Sequence, residues 1–177
     1  METARHHILE NILKTITDSE SPDQSMGRIV RMIADGFSTD VCSVYAYNPY
    51  ANALKLKATV GLSPESVDAI EMDVQEGLTG LVIETMAPVF IKNPAAHPRY
   101  KFYQGSGEEE YHTYLGVPLI YHKKILGALV VQTRTEEGIA ESDIPLLENI
   151  ARQIAATVAF IILQDDRRVA DDAKPPA

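Results

Sequence analysis

The chain has 177 residues, a formal net charge of -9 and a hydrophobic fraction of 45%. That length suits one domain with terminal helices, and the composition supports a packed core. The acidic balance, reinforced by Glu108-Glu109-Glu110, excludes a nucleic-acid footprint, which needs clustered Lys and Arg.

Ile8, Leu9, Ile12, Leu13 and Ile16 form one stripe of a helix over residues 4–17. After a break at Asp18 to Pro22, Pro22 opens a second helix with Met26, Ile29, Val30, Ile33 and Phe37 on its apolar side. Gly36 and Ser38 end it. Val41–Tyr47 and Leu54–Val60 read as strands joined by the turn Asn48–Asn52, hence an antiparallel hairpin. Ser63 and Pro64 predict the start of a short helix running to about Ile70. Glu76-Gly77-Leu78-Thr79-Gly80 reads as a tight loop into a short helix over Leu81–Thr85, and Val89–Ile91 as a strand. Residues 92–112 show no sustained periodicity. A loop that long is functional or disordered in most domains, and Tyr100, Phe102, Tyr103 and Tyr111 favour an ordered lid.

Tyr114–Tyr121 and Ile125–Gln132 follow as strands around a His122-Lys123-Lys124 turn. Pro118 suggests an edge or a bulge, whereas the nearly all-apolar second strand belongs at the sheet's centre. Ser142 opens a long helix to about Gln164, along which Leu147, Ile150, Ile154, Val158 and Ile161 make a coiled-coil-like seam. That seam outruns what one sheet needs, and so predicts a homodimer. The order of elements predicts an α+β fold: an antiparallel sheet with helices on its faces and the terminal helices packed together.

The single cysteine, Cys42, permits no intramolecular disulfide and points to a reducing compartment. No apolar run approaches the ~20 residues of a membrane span, and the N-terminus lacks the apolar core of a signal peptide. The expectation is a cytoplasmic protein with no membrane or nucleic-acid partner.

Over residues 41–134 the chain resembles the GAF domain, a cousin of the PAS sensory fold. The resemblance rests on Gly61-Leu62, Glu76–Val82, Ala96-His97-Pro98-Arg99-Tyr100, Gly107-Glu108-Glu109-Glu110-Tyr111-His112 and Leu115–Ile120, in that order. The last piece is general to GAF domains. The two histidine-containing pieces are similar to the N-terminal GAF domains of enzyme I of the nitrogen-related phosphotransferase system. The resemblance implies a regulatory sensor of nitrogen status, with glutamine or 2-oxoglutarate as effector. It divides the chain into an N-terminal helix (1–20), a GAF domain that includes the long helix (21–164) and a polar, disordered tail (165–177). These residues hold no phosphohistidine motif and no barrel-sized module, so they carry no phosphotransfer, and no enzyme activity or cofactor is expected.

The candidate ligand-binding residues are Tyr45, His97, Arg99, Tyr100, Tyr111, His112 and Tyr114, from the lid and the strands beside it. Arg99 and Lys101 suit a carboxylate clamp, Arg99 in bidentate fashion; the alternative is that they tie the loop to Glu108–Glu110. His97 and His112 have no third ligand at metal-site spacing. As general bases they represent an enzymatic alternative, and an empty dimerisation module is another. Cys42 reads as a small buried hydrophobe; a GAF-type methionine sulfoxide reductase would need a second cysteine. Gly77 and Gly80 lack the Gly-Lys-Ser/Thr of a P-loop and read as a turn with close packing.

Overall fold

Two helices, α1 (Glu2–Asp18) and α2 (Pro22–Phe37), open the chain. The Ser21 hydroxyl caps α2 by accepting from the Gln24 amide, and Pro22 stands in the first turn, where no amide partner is needed. The stripe Met26, Ile29, Val30, Ile33 and Phe37 is buried, and Ser38 closes the helix in a left-handed conformation. Ile8 and Ile12 carry α1 into the same core. The computed structural model describes residues 2–101 and 111–172.

The strands are β1 (Val41–Asn48), β2 (Ala53–Val60), β3 (Glu71–Asp73), β4 (Val89–Lys92), β5 (Thr113–Tyr121) and β6 (Lys124–Thr133). They form one antiparallel sheet in the order β3-β2-β1-β6-β5-β4. β6 is central and covered on both faces, as its continuous apolar run requires. Pro118 lies on β5 beyond the reach of β4, which pairs only with Thr113–Gly116, and next to a register shift at Leu119/Ile120. Its missing amide hydrogen therefore costs no bond to β4. His122 and Lys123, at φ 48° and 64°, make the two-residue turn between β5 and β6 without a glycine.

The remaining helices cover opposite faces. On one face α1, α2 and α4 (Ile144–Asp172) enclose the larger core with Cys42, Val44, Val117, Leu129 and Val131. On the other, α3 (Gly77–Thr85) meets Tyr45, Leu56, Tyr114 and Val130.

Four expectations change. β3 was not foreseen, and the helix expected from Ser63 to about Ile70 is a single 3-10 turn, Pro64–Ser66, because Asp68 turns left-handed at φ 60°. α3 begins at Gly77 rather than Leu81. Residues 165–172 continue α4 instead of fraying, and 173–177 lie outside the described residues. α4 is also long and apolar enough, by composition, to cross a bilayer, yet its apolar stripe faces the sheet. Leu147, Ile150, Ile154, Val158 and Ile161 are all buried within the one chain, so the seam finds its partners in the chain's own core.

Candidate functional site

α3 starts on a glycine for a steric reason. Gly77 adopts φ 70°, and a Cβ on Gly80 would lie 1.8 Å from the Val74 carbonyl oxygen. The two glycines let the first turn of α3 press against Val74, in the chain that leads from β3 into the helix. Glu76, at the N-cap, places no side-chain hydrogen bond on that turn. The amides of Gly77, Leu78 and Thr79, at the positive end of the helix dipole, thus receive no cap from the N-cap side chain.

This turn closes a hollow over the sheet. Its floor is Tyr45, Tyr114, Val130 and Gln132; Met72 of β3 forms one side, and Tyr100 and Lys101 of the long connection form the roof. The Tyr114 hydroxyl donates to Thr79 Oγ1 at 3.2 Å, joining floor to helix. Gln132 is 8% exposed, and its carboxamide faces the hollow without a hydrogen-bond partner among the described residues. The cavity is about 30 Å³. That holds a water molecule; metabolite sites run to roughly 300 Å³ and more. The hollow is too small for a metabolite as it stands.

Of the seven residues singled out by sequence, Tyr45, Tyr100 and Tyr114 meet here. The other four lie elsewhere. Arg99 pairs with Glu84 through Nη1 and donates from Nη2 to the Val74 carbonyl at 2.8 Å. It thereby ties the connection to α3 and to the chain leading into it. Lys101 pairs with Glu76; the Glu108–Glu110 run lies outside the described residues. The His97 ring accepts from the Arg99 amide at 3.2 Å. His112 is exposed, and its backbone bridges Asn93 and Thr133. Tyr111 is buried on the pocket face, with the Arg134 guanidinium 5.9 Å from its ring centroid. Phe102 and Tyr103 lie outside the described residues.

Thr79, Met72 and Gln132 were missed. Gln132 had a readable signal, a lone amide ending an apolar strand. No cluster of three or more metal-ligating side chains occurs among the described residues. Cys42 is fully buried on the helix-covered face, and burial pushes its thiol far above the ordinary range, so it is neutral and out of reach of the hollow.

A six-stranded antiparallel sheet with three helices behind it and a short helix over a hollow in front defines an α+β domain of the GAF architecture. A GAF domain family model matches residues 21–158, and the chain belongs to that family. It is 30% identical over 151 residues to an Escherichia coli (strain K12) protein described as "Phosphoenolpyruvate-dependent phosphotransferase system", covering 85% of this chain and 20% of that protein. It is 28% identical over 153 residues to the Nif-specific regulatory protein of Azospirillum lipoferum, covering 83% and 24%. Among solved structures, the GAF domain of an Acinetobacter phosphoenolpyruvate-protein phosphotransferase superposes with a TM-score of 0.80 at 30% identity, covering 92% of this chain and 97% of that one. The chain therefore spans a quarter or less of the two longer relatives.

Proposed function

We propose that this GAF domain is the sensor of a nitrogen-related phosphotransferase, or of a free-standing relative. In this reading it is a cytoplasmic regulatory module that binds a small carboxylate metabolite, an amino acid or a 2-oxo acid, between α3 and the sheet. The carrying observation is the uncapped start of α3 aimed into a hollow that also holds the unpartnered Gln132 carboxamide. Backbone amides at a helix start favour an anion, and a carboxamide adds a carbonyl acceptor and two N–H donors for a neighbouring amine or carbonyl. The relatives' printed names, phosphotransferase and nitrogen-fixation regulator, support the nitrogen connection. Binding requires the hollow to open, which displaces Tyr100, Lys101 and Met72. α1 and α4 then carry the signal, and two copies associate through the exposed side chains Leu13, Phe160 and Leu163 of those helices.

Calorimetric titration with glutamine and 2-oxoglutarate, with a cyclic nucleotide as the control, tests this reading. Saturable binding of either metabolite, weakened by Thr79→Val and by Gln132→Leu, is expected. Absence of binding by both removes the metabolite reading. The small size of the cavity favours a second reading, a packing module that binds nothing.

A further inference from the structure

The signal needs a route from the side of the hollow to α4, and one side chain joins the segment leading into β3 to that helix. β1 and β2 slip register between Val44 and Tyr45: Val44 pairs with Ala58 and Tyr45 with Leu56, which leaves Lys57 as the bulged residue. A bulge re-aims the side chain it carries. Here the Lys57 side chain is 4% exposed, and its ammonium donates to Asp68 at 2.5 Å and to Asp165 of α4 at 2.7 Å. Burial alone would push Lys57 toward the neutral form, but the hydrogen bonds to Asp165 and Asp68 outweigh it and hold its pKa above the ordinary lysine value.

Both carboxylates are placed to report movement. Asp68 sits at φ 60° in the segment leading into β3, and its amide donates to the Leu56 carbonyl beside the bulge. Four residues later Met72 lines the hollow. Asp165 sits on the part of α4 that overhangs β2, whereas the body of the helix packs mainly on β5. Among the described residues, Lys57–Asp165 is the only ion pair joining sheet to α4. The space beside it is open: a groove of about 250 Å³ lies between the β1–β2 hairpin and the end of α4, against Tyr47, Tyr50, Ile162 and Val169. With that groove beside it, the Lys57 ion pair is the polar link between sheet and helix at this end, and a hydrogen-bonded charge network of this kind can carry a displacement from one element to the other.

We infer that Lys57 is the positioning residue that couples β3, at the side of the hollow, to the C-terminal turns of α4. The inference rests on the sensory reading for the meaning of the signal, but the linkage itself needs no ligand.

Amide hydrogen exchange on the ligand-free chain tests the linkage. Asp165→Asn, a change on α4, is expected to speed exchange across Ile70–Asp73 by about two- to thirtyfold, and Asp68→Asn to do the same across Ile161–Arg168. Lys57→Arg should preserve both protections and Lys57→Met should lose both. If each aspartate variant loosens only its own element, the linkage is overturned, and these two variants decide the matter even if Lys57→Met does not fold. With 2-oxoglutarate added, the wild type should alter exchange at the end of α4, whereas Lys57→Met should bind but leave α4 unchanged. A retained α4 response in Lys57→Met also overturns the inference. Failure of 2-oxoglutarate and glutamine to bind the wild type removes the metabolite reading alone, because the ligand-free comparison stands by itself.

Discussion

The two faces of the sheet are built from alternate residues of the same strands, yet they differ in chemistry. Behind the sheet, Val44, Val117, Leu129 and Val131 join Ile33, Phe37, Leu147 and Ile154 in a large apolar core, with the buried threonines Thr113 and Thr133 at the start of β5 and the end of β6. In front, Tyr45, Tyr114, Val130 and Gln132 meet Thr79 and leave a gap. Close packing on one side supplies stability. The other side is more polar and imperfectly filled, and it is the face to which the metabolite reading proposed above assigns recognition.

The largest expected effect tests the packed face. Ile154→Ala removes a fully buried side chain and should cost about 2–5 kcal/mol in chemical denaturation. A loss below ~1 kcal/mol would show a core looser than this division requires. Arg99→Ala sharpens the boundary from the front. It frees a Glu84 carboxylate and the Val74 carbonyl, and should cost about 1–3 kcal/mol while leaving metabolite affinity unchanged. A selective loss of affinity would return Arg99 to the clamp role suggested by its sequence context. Gln132→Leu should cost under ~1 kcal/mol of stability and weaken carboxylate binding about tenfold, worth ~1.4 kcal/mol by calorimetry.

Two smaller effects complete the series. Phe160→Asp, at a half-exposed position, should shift a dimer to monomer in light scattering and change monomer stability by no more than about 0.5 kcal/mol. Cys42 should resist alkylation at pH 8 until the chain unfolds, since its thiol is buried and neutral. Its raised pKa also has a sign: only the unfolded chain ionises this thiol above pH ~8.5, so its share of stability is complete below that pH and erodes as pH rises. A flat stability profile from pH 8 to 10 in the wild type, matching Cys42→Ala, would contradict the burial.

Periodicity made most of the scaffold legible. The stripe of α2, the β1–β2 hairpin and the apolar run of β6 each carry enough repeats to identify an element. β3 was illegible because Glu71-Met72-Asp73 offers one apolar residue and pairing decides the rest. The start of α3 was hidden because Gly77 and Gly80 read as loop residues, while their lack of side chains serves tight packing on Val74. The continuation of α4 was hidden because its polar residues gave no apolar pattern, although Asp165 has a buried partner in Lys57. In the site, the tyrosines were legible as aromatics beside a long connection. The placement of Arg99 was not, since a charge pattern does not say whether its partner is a guest or a neighbouring Glu84. The GAF motifs supplied the class where local patterns could not.

The outer strands of the sheet, β3 and β4, are 3 and 4 residues long, and exposed Glu71, Asp73 and Lys92 stand on them. Such blunt margins give an incoming extended segment few rungs and place charge where it would land. Stacking of chains edge to edge into fibrils is disfavoured at high concentration. The self-association proposed above runs instead through the helices, away from these margins.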